Sequence, residues 1–282
     1  MKERVLRIGK PVPLVGVATE PAALDAARPA VLILNSGIMH HVGSCRMSVR
    51  IARGLAESGL LAARFDYSGI GDSEPRRGTP SFAEVSVTEC SEVMDYLQKT
   101  KGINRFVLYG LCSGADAAYN TALMDERVVA ISQFDPYCYV TPRYYLEYYL
   151  PVLTNVERWR SFLGRRWSKL VGHHGSSEAV GAVDPEFVEI PTYIRVFPPR
   201  ESVAAGLRTL LSRNVRLQVN FPAGPLYNHQ SQFRNSFRDV DFKGLVEVNY
   251  YKRANHIVTQ PDMQKRIIDD IVRWIARVAV TN

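Results

Sequence analysis

The stretch Val107-Leu108-Tyr109-Gly110-Leu111-Cys112-Ser113-Gly114-Ala115-Asp116-Ala117-Ala118 constrains the fold more than any other part of the chain. Its continuous apolar run reads as a strand buried on both faces. Gly110-Leu111-Cys112-Ser113-Gly114 reads as a tight turn, and the alanine-rich segment beyond it as a helix packed closely on a sheet. Small residues flank a strand-to-helix turn of this kind because the backbone there is strained and crowded. The side chain at its tip is Cys112.

Strand and helix patterns alternate on both sides of this turn. Arg4 to Ile8 and Pro13 to Ala18 read as an antiparallel hairpin at a sheet edge, interrupted by Pro11 and Pro13. Ala30 to Asn35 is a buried strand that ends in the loop Asn35-Ser36-Gly37-Ile38-Met39-His40-His41-Val42-Gly43. Met47, Ile51 and Leu55 recur at helical spacing between Cys45 and Ser58, with Gly59 as the stop. Leu60 to Asp66 is the next strand; a glycine-rich turn and a helix from Phe82 to Thr100 follow, and Val128 to Phe134 is the strand after the Cys112 turn. This alternation predicts right-handed crossovers and an α/β fold with a mainly parallel sheet flanked by helices. At 282 residues and 46% hydrophobic composition, one domain over 1–282 with an insertion fits the length.

The insertion is placed at 136–192, where the alternation breaks. This stretch is aromatic and basic, with Tyr137, Tyr139, Tyr144, Tyr145, Tyr148, Tyr149, Trp159, Phe162 and Trp167 interleaved with Arg158, Arg160, Arg165, Arg166 and Lys169. Lying between two strands on the carboxyl side of the sheet, it is expected to form a helical cap over the active site. The alternation resumes with a helix at Ser202 to Leu211, strands at Val215 to Phe221 and Leu245 to Tyr250, and an amphipathic helix from Pro261 to Val278.

The net charge of +7 is dispersed outside that cluster, and no stacking-aromatic or helix-turn-helix signature accompanies it, which argues against a nucleic-acid partner. Cys45, Cys90, Cys112 and Cys138 show neither zinc spacing nor a CxxC pair, and Met1 to Lys10 lacks the apolar core of a signal peptide. The expected compartment is the cytoplasm, with reduced thiols and no transmembrane segment.

A cysteine at the tip of a strand-to-helix turn suits nucleophilic attack on a carbonyl, because its thiolate forms an acyl-thioester once a base has taken the proton. The alternative is a small buried core thiol, which the Gly-x-Cys-x-Gly setting disfavours. The base expected is His256, in the loop between the last strand and the last helix. The acid that should orient it is open between two residues. The loop after Val215 to Phe221 holds no carboxylate, so Asp135, at the end of the strand following the Cys112 helix, is the preferred member; it also fits a hinge capping backbone N–H groups. Asn228 is a neutral candidate. The expected oxyanion donors are the backbone N–H groups of Ser113 and Ile38. Met39 and His40 on the early loop, and Tyr137 and Tyr145 in the insertion, are candidate substrate contacts. Asp66 and Asp72 flank Gly69-Ile70-Gly71 and read as caps of a tight turn; no dinucleotide or Walker spacing follows that Gly-x-Gly.

From Ser36-Gly37, through Arg64-Phe65-Asp66-Tyr67-Ser68-Gly69-Ile70-Gly71-Asp72-Ser73, to the Cys112 turn and His256, the chain resembles the α/β-hydrolase superfamily along essentially its whole length, with cysteine where most members carry serine. More narrowly, Val42-Gly43-Ser44-Cys45-Arg46, Gly110-Leu111-Cys112-Ser113-Gly114-Ala115 and Tyr144-Tyr145-Leu146-Glu147-Tyr148-Tyr149-Leu150 resemble the exosortase A-associated hydrolase group. The resemblance implies the α/β-hydrolase fold with a helical cap and acyl-transfer chemistry without a metal or organic cofactor. It departs from the superfamily pattern at the missing carboxylate after Phe221 and at Asn255, where an aspartate often precedes the histidine.

These readings predict an acyl hydrolase or thioesterase with a Cys112, His256 and Asp135 site, acting on an acyl ester or thioester, free or carrier-bound. An acyltransferase or cyclase that passes the acyl group to a non-water acceptor is the alternative, and a non-catalytic hydrolase-fold binding protein stands behind both.

Overall fold

The structure, a computed structural model, describes residues 1–76, 81–153, 195–224 and 226–281. Its strands are β1 (Lys2–Ile8), β2 (Leu14–Glu20), β3 (Ala30–Ile33), β4 (Ala62–Phe65), β5 (Phe106–Leu111), β6 (Val128–Phe134), β7 (Arg216–Pro222) and β8 (Val246–Tyr251). The helices described are α1 (Met47–Glu57), α2 (Phe82–Lys101), α3 (Ser113–Met124), α4 (Pro142–Leu153), α5 (Arg200–Ser212), the short α6 (Gln232–Ser236) and α7 (Pro261–Thr281).

The described strands form one eight-stranded sheet in the order β1-β2-β4-β3-β5-β6-β7-β8. The β1–β2 and β2–β4 pairs are antiparallel and the rest parallel. This is the α/β-hydrolase fold expected. β5 is buried at all six positions, as its unbroken apolar run requires, whereas β1 alternates exposed and buried residues toward its end at the sheet edge.

Helices cover both faces of the sheet. Ile51 and Leu55 of α1 and Ile267, Ile271 and Trp274 of α7 pack with Val31, Ile33, Val107 and Tyr109 on one face. Val93 and Leu97 of α2, Ala118 of α3 and Leu207 of α5 pack with Leu32, Leu108 and Ile131 on the other. Each fully buried aliphatic side chain among them stabilises the fold by about 1.5–3 kcal/mol in transfer free energy. α2 starts on a capping box, with Ser81 and Glu84 each bonding the other's backbone N–H, and stops at Gly102 in the left-handed region.

Element boundaries fall within a few residues of the sequence expectation. α6 leaves no pattern in the sequence, because five residues are too few to show a helical period. Of the expected insertion at 136–192, residues 136–153 are described: Pro136 to Thr141 lead without regular structure into α4. The remainder, with Trp159, Phe162, Trp167 and the arginine cluster, lies outside the described residues.

Candidate active site

Cys112 sits between β5 and α3 with φ 55° and ψ −114°, a conformation that costs a non-glycine residue about 1–3 kcal/mol. The turn that holds it has no room for other side chains at two points. A Cβ on Gly110 would run into the Gly114 carbonyl, and one on Gly114 into the Asn35 carbonyl. Cys112 N–H donates to Phe134 O at 2.8 Å, which ties the turn to the end of β6. The thiol is half-buried, directly before the first turn of α3.

His256 lies in the loop between β8 and α7. Asn255 shapes that loop by accepting from Thr259 N–H at 3.0 Å and donating to Thr259 Oγ1 at 2.7 Å. Val258 follows with φ 52°, which is rare for a β-branched residue. His256 Nδ1 is 2.8 Å from Asp135 Oδ2. The hydrogen bond to Asp135 comes first and the one to Cys112 second in holding the imidazolium; both outweigh burial and push the His256 pKa up to about 10. Asp135 leaves β6 with φ 56°, and its N–H donates to Asn220 O on β7 at 2.7 Å. The carboxylate facing the histidine therefore comes from the end of β6, and the loop after β7 does not supply it.

Two further charged residues adjoin this site, and neither was singled out from the sequence. Asp116 is 7% exposed and four residues past Cys112, one helical turn along α3; that spacing was the available signal. Arg195 pairs with it in a fork, Nε to Oδ2 at 2.7 Å and Nη2 to Oδ1 at 2.8 Å. Burial pushes the Asp116 carboxyl up to about 6, although Arg195 opposes the shift. Burial works against the Arg195 charge as well, but its bonds to Asp116 outweigh that and raise its pKa. Nothing local in the sequence marks Arg195, which lies 79 residues from its partner.

The loop after β3 reaches the turn from the other side. Gly37 N–H donates to the buried Ser113 Oγ at 2.7 Å, which commits that loop N–H to the turn. Ser113, one residue past the tip, thus fastens the loop. Asn35 Nδ2 donates to Met39 O at 2.8 Å, while the Ile38 and His40 side chains are exposed. Asp66, fully buried, organises the rest of this loop. It accepts from Asn35 Nδ2 (2.9 Å), His41 N–H (2.6 Å), His41 Nδ1 (2.7 Å) and Asp72 N–H (3.1 Å). Burial alone would raise its pKa; these bonds win and hold the carboxyl below its usual range. His41, Asp66 and Asp72 place ligand atoms within 4.8 Å of one another. A carboxylate offers about four lone-pair positions, and Asp66 has committed them to four donors, so the cluster does not suit a metal.

Asn228 Nδ2 donates to Tyr144 O of α4 at 3.0 Å, which ties the loop after β7 to α4. Tyr137 is 7% exposed, with its ring against Tyr119, Phe197 and the Arg195 guanidinium. Tyr145 is half exposed and packs edge-on against Tyr144. A cavity of about 20 Å³, the size of one water, lies between the loop after β3 and α1 and is lined by His41, Ser44, Ser48 and Tyr109, among others.

A protein-family model described as serine aminopeptidase, S33, matches residues 26–193. No curated protein sequence matches the chain. Solved structures that resemble it include the α/β hydrolase GrgF from Penicillium sp. sh18, 16% identical over 99% of both chains with a TM-score of 0.57. The carboxylesterase CesB from Bacillus subtilis is 15% identical over 96% of this chain and 92% of its own, with a TM-score of 0.56. An esterase from Pyrococcus furiosus is 13% identical over 98% and 90%, with a TM-score of 0.57. At these identities the likeness concerns the fold.

Proposed function

The chain belongs to the α/β-hydrolase family described as serine aminopeptidase, S33, and from that premise we propose that it is a cysteine-dependent acyl hydrolase or thioesterase. One observation carries the reading: His256 Nδ1 lies 2.8 Å from Asp135 Oδ2, and Cys112 at the tip of a strained turn acts on the same imidazole. In the proposed reaction His256, with its pKa well above neutrality, already holds the proton of Cys112 Sγ, and the sulfur bonds as a thiolate to the ester or thioester carbonyl carbon. The oxygen, now an anion, is held by the N–H groups of Ser113 and Ile38. When the intermediate collapses, the bond to the alkoxide or thiolate breaks, and the leaving group takes the proton from His256. An acyl-thioester on Cys112 remains, and water activated by His256 releases the acid. Asp135 holds the imidazole in the required tautomer throughout.

Cysteine at the tip favours a second reading, an acyltransferase or cyclase, since a thioester stays reactive toward amines, alcohols and carbanions. The residues shared with the exosortase A-associated hydrolases support a place near that group. All four cysteines are free, in keeping with a reducing, cytoplasmic setting. Among the described residues no helix is long and apolar enough to cross a membrane.

Intact-protein mass spectrometry after incubation with acyl-thioesters tests the proposal. The expected result is an acyl adduct on the wild type that Cys112→Ala lacks. Tight ligand binding with no adduct from any donor favours a binding protein instead. Iodoacetamide provides a second check. Cys90 and Cys138 are buried, with thiols pushed up by burial to about 12, so exposed Cys45 is the competitor, and its modification ahead of Cys112 counts against the proposal.

A further inference from the structure

Arg195 is a charged side chain only 15% exposed beneath the site. Besides its fork onto Asp116, its Nη2 donates to the backbone carbonyl of Asp135 at 2.9 Å. Its Nη1 lies 3.8 Å from Asp135 Oδ2, the oxygen that meets His256 Nδ1. The guanidinium also lies over the rings of Tyr137 and Phe197, at 5.4 and 4.7 Å from their centroids. One planar group therefore bonds the backbone of Asp135 while lying within ion-pair range of its carboxylate, and takes its own anchorage from α3, the helix that begins directly after Cys112.

Asp135 needs such a hold. Its φ of 56° is left-handed, a conformation an aspartate keeps only where the surroundings enforce it. Two carboxylates, Asp116 and Asp135, also flank the turn within reach of the same cation, and without that cation they would repel each other. A lysine would carry the charge but could not fork onto Asp116 and bond the carbonyl at once.

We propose that Arg195 is a positioning residue for the acyl-transfer reaction: anchored by Asp116, it clamps Asp135 in the left-handed conformation that aims its carboxylate at His256. This inference rests on the Cys112, His256 and Asp135 reading above. Arg195 also faces the Cys112 charge through space, but its bond is to Asp135, and the role proposed runs through that residue.

The test compares Arg195→Gln, Arg195→Lys and the double variant Arg195→Gln/Asp116→Asn with wild type, by acylation kinetics and by NMR titration of His256. The double variant leaves no uncompensated buried charge, so it keeps the test open if Arg195→Gln alone folds poorly. The expected result for the Gln variants is a kcat about 100-fold lower with KM little changed. His256 should also titrate about one unit or more closer to its ordinary value, with Arg195→Lys in between. The direction of that shift is diagnostic. Loss of a positive neighbour alone would raise the His256 pKa, whereas loss of the Asp135 hydrogen bond lowers it. A folded double variant with wild-type kcat, or with His256 titrating unchanged or higher, overturns the positioning role. Absence of an acyl adduct on wild-type Cys112 overturns the acyl-transfer reading instead, and the NMR titration still reports whether Arg195 holds Asp135.

Discussion

Two histidine–aspartate pairs stand at the carboxyl edge of the same mainly parallel sheet, with nearly the same separation: His41 to Asp66 at 2.7 Å and His256 to Asp135 at 2.8 Å. Their surroundings differ. Asp66 is fully buried with four donors, and His41 is 8% exposed, so this pair closes the loop that carries the proposed oxyanion donor. The His256 side chain is 48% exposed and has a thiol as its second partner. A short contact between imidazole and carboxylate therefore does not by itself mark a catalytic pair. What else acts on the imidazole decides its role.

The sharpest way to break this distinction is to remove each histidine. His256→Ala, like Cys112→Ala, is expected to lower kcat by about 10⁴-fold or more with the fold intact. His41→Ala should instead lower the denaturant midpoint, by about 2 kcal/mol in stability, because it leaves Asp66 buried and short of a donor. Equal loss of kcat in a folded His41→Ala protein would put both pairs in the mechanism.

The aspartates should divide the same way. Asp135→Asn is expected to lower kcat by about 10²–10⁴-fold through the wrong imidazole tautomer, read in steady-state kinetics on protein of unchanged thermal stability. Asp66→Asn should cost about 2–3 kcal/mol of stability, measured by urea unfolding, since an amide cannot accept what the carboxylate accepted.

The two pairs should also fail at opposite ends of the pH scale. The His256 pKa is raised above its usual 6.5, so its contribution to stability is complete below that value and is lost as pH rises through about 10. The Asp66 pKa is lowered, so its contribution is present above 3.8 and is lost as pH falls through the still lower folded value. Urea midpoints across pH check this: the gap between wild type and His256→Ala should close at the alkaline end, and that for Asp66→Asn at the acid end. The smallest effect belongs to Asn228→Ala, which should cost about 1 kcal/mol through its lost bond to Tyr144 and leave kcat close to wild type. A large kcat loss there would restore Asn228 as a partner of His256.

The sequence alone was enough to determine the strand, turn and helix around Cys112, the mainly parallel α/β architecture, and the loop that holds His256. These features are local: apolar runs, helical spacing and glycines that admit no Cβ are written in consecutive residues. The same holds for Asp66, whose turn of glycines announced a carboxylate used to bond backbone groups. Which acceptor faces His256 was a different kind of question. Asp135 and Asn228 were both open from the sequence, and only the assembled sheet separates them. Cys112 N–H reaches the end of β6 and Asp135 N–H reaches β7, while Asn228 is turned toward α4. Asp116 and Arg195 show the limit most clearly. A buried ion pair between residues 79 apart leaves no periodic trace in the chain, because its partners are chosen by sheet order and helix packing.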